Sequence, residues 1–266
     1  MASRYVSTPG GTDFLAAIGG TVNDGDSVYI NMGNDALVTN LNHAAKIFPV
    51  VSLIGEFSGW VGDPSASLEC DITSLLVACA ARGLYVKAGT GGSTTNTIAK
   101  ADLRPTRADC NIVFGTGTYT QVNQFGGILV AADTADVNLL RQTAGTSTLR
   151  EGAANTPTIE IYGGACECQR DFDNADVRGG LFQVTRSSVT PTSIKVDEGA
   201  RLDYRGGALA SLYGFPGSTL DFSRLTKPMT ITNFYSWGGC RIICPPGLVT
   251  VTTTTPFGNE SPTFPA

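Results

Sequence analysis

Ile159-Glu160-Ile161-Tyr162-Gly163-Gly164-Ala165-Cys166-Glu167-Cys168 is followed, after eight residues, by Val177-Arg178-Gly179-Gly180-Leu181-Phe182-Gln183-Val184. In both phrases a run of alternating apolar residues meets a Gly-Gly pair, and a second alternating run starts at once. Alternation with a period of two marks a strand buried on one side. The glycines mark a bend where the backbone needs positive φ or a close approach that a Cβ would block.

The phrase recurs on both sides of this stretch. Val122 leads to Gly126-Gly127 and Ile128-Leu129-Val130, and Val137 and Leu139 lead to Gly145 and Leu149. Further on, Ile194 and Val196 lead to Gly199, Leu202 and Tyr204; Leu212 leads to Gly217, Leu220 and Phe222; Ile231 and Phe234 lead to Gly238-Gly239, Ile242 and Cys244. The last glycines are Gly127, Gly145, Gly164, Gly180, Gly199, Gly217 and Gly239, at intervals of 18, 19, 16, 19, 18 and 22 residues, about 18.7 on average. A unit of two short strands and a bend cannot bury its own apolar side. Stacking the units in parallel, about 4.8 Å per step, pairs every strand above and below and gathers the inward side chains into columns. The expected fold is all-β, a right-handed parallel β-helix with a mixed N-terminal cap. A β-sandwich is the competing architecture, but its hairpins call for two-residue Asn-Gly or Asp-Gly turns that are absent between the repeated strands.

The repeat divides the chain into three parts. Residues 1–110 lack the clean glycine beat and read as an N-terminal arm and cap, needed because an open solenoid end exposes unpaired backbone and interior columns. Within it, Thr12–Ile18 reads as a short helix with Thr12 as N-cap, and Ser27–Asn31 reads as a strand. Asn40–Ile47 reads as a helical turn or two around His43, and the apolar run Leu75–Ala81 stays unassigned. Residues 111–251 carry the repeats. Residues 252–266 hold three prolines and read as an extended tail, either free or an arm whose Phe257 and Phe264 dock on a neighbouring subunit.

Composition narrows the function. Eighteen Lys and Arg against 23 Asp and Glu give a net charge of −5, and there is no basic run, which argues against nucleic acid as a partner. Charged residues are 15% of the chain, so Thr, Ser, Asn and Gly must cover much of the surface. No apolar stretch approaches the ~18 residues of a membrane span, and Met1–Gly11 reads as neither a secretory signal nor a transit peptide. The single histidine, His43, removes most imidazole-based catalysis and zinc chemistry and reads as a partly buried structural residue. Seven cysteines are an odd set and read as reduced. Cys166 with Cys168, and Cys240 with Cys244, fall at even spacing and read as inward thiols; a four-Cys zinc site would need pairs that lie some four units apart.

Three other groupings invite a chemical reading. Asp203 and Asp221 each stand four residues after their glycine, so they point outward on adjacent units, close to the carboxylate separation of a retaining glycosidase. Arg201, Arg205, Arg224 and Arg241 lie near them and offer a plain charge-balanced ladder instead. Asp171–Asp176 holds three carboxylates and an amide that suit calcium, but lacks the glycine and distal glutamate of an EF-hand and reads as an acidic turn. Gly89–Ser93 lacks the lysine and the setting of a phosphate loop. Tyr235 and Trp237 form the one compact aromatic pair. No cofactor motif is present.

Gly25–Asn31, Thr39-Asn40-Leu41-Asn42, Leu53-Ile54-Gly55, Phe57-Ser58-Gly59 and Leu84–Gly89, leading into the glycine-punctuated repeats, resemble the β-helical virion proteins of tailed bacteriophages. That resemblance implies a head-associated, non-enzymatic structural protein of the decoration or cement type, homotrimeric, with the major capsid protein as its partner. It brings no catalytic residues. Tyr235, Trp237, Phe257 and Phe264 are the expected partner-binding residues. A tail spike or fibre that binds a receptor, or a polysaccharide-degrading enzyme acting through Asp203 and Asp221, are the alternatives.

Overall fold

A computed structural model of the chain describes residues 2–6, 23–31, 37–38, 42–89, 96–152, 155–258 and 264–265. Every regular element among them is a strand, and the strands stack as coils of a parallel β-solenoid, about 11 turns in all. The chain forms two compact units, Met1–Asn138 and Leu139–Ala266.

In the second unit two ladders alternate along the chain. One runs through Leu139–Gln142, Thr156–Ile161, Phe172–Val177, Ser193–Val196, Leu209–Gly214, Met229–Ser236 and Val249–Pro256. The other runs through Thr146–Leu149, Ala165–Cys168, Leu181–Val184, Arg201–Tyr204, Thr219–Asp221 and Arg241–Ile243. In-register pairing puts like positions above one another, so Cys166, Phe182, Leu202 and Leu220 form one buried column, and Ile159, Ala175, Ile194, Leu212 and Phe234 form another facing it. Burial of these apolar columns, at roughly 25 cal/mol per Å², is the principal force holding the coils together.

All seven glycines of the sequence repeat have positive φ, between 65° and 82°. At Gly164 and Gly180 a second constraint acts. A Cβ on Gly164 would overlap the carbonyl oxygen of Gly145, and a Cβ on Gly180 that of Gly164. These two corners therefore stack backbone on backbone, and only hydrogen fits between them.

The tail departs from expectation. Val249–Pro256 is a strand in parallel register with Met229–Ser236, so the last coil runs past residue 251. The β-branched threonines 252–255 favour extended backbone, and Pro256 stands at the strand's end, where a missing N–H is tolerated. The Phe264 ring packs edge-on against Phe222 and Phe234 of its own unit, at 5.7 and 5.3 Å.

The first unit is also built of coils, which corrects the reading of residues 1–110 as an arm and a mixed cap. Ser3–Val6, Ser27–Ile30, Asn42–Gly55, Leu68–Cys79, Thr97–Leu103 and Gly117–Gln124 form one parallel ladder. Leu37–Val38, Trp60–Val61, Gly83–Lys87, Asn111–Phe114 and Ile128–Ala131 form the other. The helical turn expected around His43 is strand. Pairing of Asn42–Gly55 with Leu68–Cys79 overrides a helical spacing only eight residues long, too short to nucleate a helix without tertiary support. His43 is buried, with its ring edge-on to Phe48 at 6.0 Å, as its structural reading required. Leu75–Cys79 belongs to the long strand Leu68–Cys79. The helix expected over Thr12–Ile18 lies outside the described residues.

Asp26 fastens the first strand to the second. Its Oδ1 accepts the Ala2 N–H at 2.9 Å, and its Oδ2 accepts from Arg4 Nε at 3.1 Å and Asn23 N–H at 3.3 Å. The Ala2 N–H, with the Arg4 and Asn23 donors, holds this carboxyl below its ordinary 3.8. A depressed folded-state pKa stabilises the strand above the ordinary value, and that contribution disappears as pH falls through the lowered one. Hydrogen exchange of the Ser27–Ile30 amides should therefore accelerate selectively below pH 3.8, and Asp26→Asn should remove this dependence.

Candidate binding surface

At the last corners of the second unit, Phe215 and Trp237, each two residues before a repeat glycine, and Phe257 one coil further on continue a column. Phe215 N–H donates to Val196 O, Trp237 N–H to Gly214 O and Phe257 N–H to Ser236 O, at 3.1, 3.1 and 2.7 Å. These bonds stack the side chains as well. The rings of Phe215 and Trp237 lie 4.3 Å apart at 9°, and those of Trp237 and Phe257 lie 4.6 Å apart at 15°. Beside them, in the outward column of the adjoining strand, Tyr213 and Tyr235 are in register with rings 4.6 Å apart at 11°. Lys195, one coil earlier in that column, places Nζ 5.6 Å from the Tyr213 ring.

Earlier coils fill the same positions with charge. Arg141 pairs with Glu160 at 2.8 Å and Arg178 with Asp176 at 2.7 Å, while the Arg178 guanidinium also lies over the Tyr162 ring at 5.1 Å. The edge thus changes from ion pairs to five aromatic rings over its last three coils. Parallel stacking spends the inner ring faces on one another. What reaches solvent is a continuous strip of ring edges, polar at the tyrosine hydroxyls, ending on Phe257, which is 48% exposed. Large rigid side chains with an apolar body and a polar rim are the residues that dominate protein interfaces.

Of the four residues expected to bind a partner, the structure joins Tyr235, Trp237 and Phe257 in this strip, while Phe264 is half-buried against Phe222 and Phe234. Tyr213 and Phe215 were not expected. The signal for Phe215 was present in the repeat, because it stands two residues before Gly217 as Trp237 stands two before Gly239.

The aspartate ladder is where the sequence placed it, with Asp203 and Asp221 directly in register. Arginines cover it. Arg201 Nη2 lies 2.6 Å from Asp221, and Arg205 and Arg224 lie 3.5 and 3.6 Å from Asp203, to which Gln183 also donates at 3.2 Å. Burial pulls the Asp221 carboxyl up, but hydrogen bonds from Ser223 and Arg201 outweigh it and hold the group below the usual carboxylate range. A glycosidase acid needs the opposite shift to the one Asp221 has.

Two coils before Asp203 in the same outward column, Glu167 lies in an open polar cleft with Glu151, Gln169, Thr185, Arg186 and Ser187. Gln169 and Thr185 donate to Glu167 at 2.8 and 3.0 Å, and Arg186 pairs with Glu151 at 3.0 Å.

The remaining groupings resolve structurally. Phe172–Val177 is a strand, not an acidic turn, because Phe172, Ala175 and Val177 face the core. Of its acids, Asp173 accepts from Asn155 and Asp176 pairs with Arg178. Cys166 and Cys168 point inward and are fully buried; burial pushes the Cys168 thiol up to about 12 and that of Cys166 higher still, far from thiolate chemistry. Residues 90–95, most of the expected loop Gly89–Ser93, lie outside the described residues.

Compared with family models, curated proteins and solved structures, the chain matches none.

Proposed function

We propose that the chain is a non-enzymatic structural protein of a bacteriophage virion, a decoration protein that sits on the head as a homotrimer and holds the major capsid protein through its aromatic strip. The observation that carries this reading is the strip of Tyr213, Phe215, Tyr235, Trp237 and Phe257 on coils whose own core is already filled. A protein that must persist outside cells gains from parallel coils joined along their whole length, and from few groups that titrate near neutrality. Carboxylates tied to arginines support a role without turnover.

The test is cosedimentation of the purified protein with phage heads stripped of it. Binding is expected, and Trp237→Ala should weaken it at least about tenfold, the usual consequence of removing a central aromatic anchor. Unchanged binding would remove the strip from the interface, and absence of the chain from purified virions would overturn the virion assignment altogether. Light scattering that returns a monomer on the assembled particle's release would exclude the trimer. A second reading, a receptor binder on the tail, is favoured by the polar cleft at Glu151 and Glu167; antibody labelling of the tail tip rather than the head would establish it.

A further inference from the structure

Independent of that reading, we propose that a cavity in the first unit, bounded by Trp60, Tyr85 and Asp63, binds a quaternary trimethylammonium group. The sequence Gly59-Trp60-Val61-Gly62-Asp63-Pro64-Ser65-Ala66 builds most of it. Trp60 stands in register with Gly83 of the next coil. Because Gly83 has no Cβ, the six-membered ring of the indole lies directly against its backbone, space that any side chain would take. Tyr85, two residues along the same neighbouring strand, projects from the same side. Its ring centroid is 6.0 Å from that of Trp60, at 27°. Gly62, with φ of 72°, follows in the turn and also lines the cavity.

The far wall is a rigid turn. Asp63 and Ala66 exchange backbone hydrogen bonds at 3.2 Å in both directions. Asp63 Oδ1 accepts from Ser65 N–H at 2.7 Å, Ser65 Oγ at 2.6 Å and Ala66 N–H at 2.9 Å. All three bonds fall on Oδ1, so they orient the carboxylate and leave Oδ2 without a hydrogen bond among the described residues. The Ser65 hydroxyl, with the two N–H groups, keeps the carboxyl below its usual range and hence ionised at neutral pH. No ion pair to Asp63 forms among the described residues. The open recess that these residues line with Pro64 and Gly62 has a volume of about 230 Å³.

This chemistry discriminates among ligands. An anion meets the Asp63 charge, and among the described residues no cation lines the cavity. A sugar ring would find aromatic walls but only a single side-chain acceptor for its hydroxyls. A primary ammonium has three N–H donors and would find acceptors for few of them on losing its water. A trimethylammonium has no N–H to satisfy; its methyl groups pack on Trp60, Tyr85 and Pro64, and its positive charge is attracted by the ring faces and by the carboxylate. The site is preformed, because the glycine seat, the stacked rings and the locked turn exist without a ligand.

Calorimetric titration with choline chloride, paired with saturation-transfer NMR on the choline methyls, tests the assignment. Saturable binding is expected, with the neutral isostere 3,3-dimethylbutan-1-ol bound at least about tenfold more weakly. Asp63→Asn keeps Oδ1 as an acceptor and so preserves the turn; it should weaken choline at least about tenfold, and Tyr85→Ala should weaken choline and the isostere together. Phosphatidylcholine vesicles and a trimethyl-lysine peptide then tell a lipid or protein source from a free metabolite. No saturation up to about 100 mM choline, equal affinity for the neutral isostere, or binding of methyl glucoside in place of choline would each overturn the proposal.

Discussion

Gly180→Val should unfold the second unit under conditions in which the parent protein is intact, with a loss of about 3 kcal/mol or more. Two independent costs add. Position 180 has φ of +73°, where a β-branched residue is strained by about 1–3 kcal/mol, and its Cβ would occupy the place of the Gly164 carbonyl oxygen. That oxygen accepts the Leu181 N–H at 2.9 Å, so it cannot move aside without breaking the rung. Gly199 provides the control. Its φ is +74°, but nothing lies within 4 Å of a Cβ there, so Gly199→Ala should cost only the conformational part, about 1 kcal/mol. Urea midpoints of the two variants measure the difference. Equal losses would mean that the close stacking of the corners contributes nothing.

That contrast also marks how far the sequence could be read. The beat at Gly164, Gly180 and the other five positions identified the corners because a requirement for positive φ leaves a direct trace in residue type. The inward columns were legible for the same reason, since alternation fixes which residues share a face. Asp203 and Asp221 came into register because equal offsets from equal corners must coincide in a parallel stack. Where the coils lengthen, the trace fades. Asn42–Gly55 and Leu68–Cys79 are strands of 14 and 12 residues, and no repeated glycine spacing marks their turns. Around His43 a local helical spacing competed with long-range pairing, and pairing won once a partner strand supplied its hydrogen bonds. The threonines after Val251 were read as tail because three prolines follow them, although the strand runs through them and ends on Pro256.

Function was less legible than fold, for a related reason. Tyr235 and Trp237 were visible as neighbours in sequence, whereas Tyr213 and Phe215 join them only through the stacking step. A site made from one or two residues per coil is dispersed in sequence at the repeat interval. The pocket at Trp60 is subtler again, since its seat is the missing side chain of Gly83 and its carboxylate is presented by a turn.

The second large effect is expected at Phe182→Ala, which should cost about 3–5 kcal/mol. Phe182 is fully buried in the column between Cys166 and Leu202, and its ring meets Phe172 edge-on at 5.4 Å from the facing ladder. The ring therefore joins neighbours above, below and across, and a parallel stack held by continuous hydrogen bonds has little freedom to collapse around the void. Phe182→Leu keeps most of the volume and should cost far less, about 1–1.5 kcal/mol. In a solenoid the damage should also be local, because each coil touches only those adjacent to it. Hydrogen exchange in Phe182→Ala should show protection falling first in Ala165–Cys168 and Arg201–Tyr204, while Met229–Ser236 keeps its own. Uniform loss across the unit would instead mean that its coils open as one, and that the columns couple far beyond their nearest neighbours.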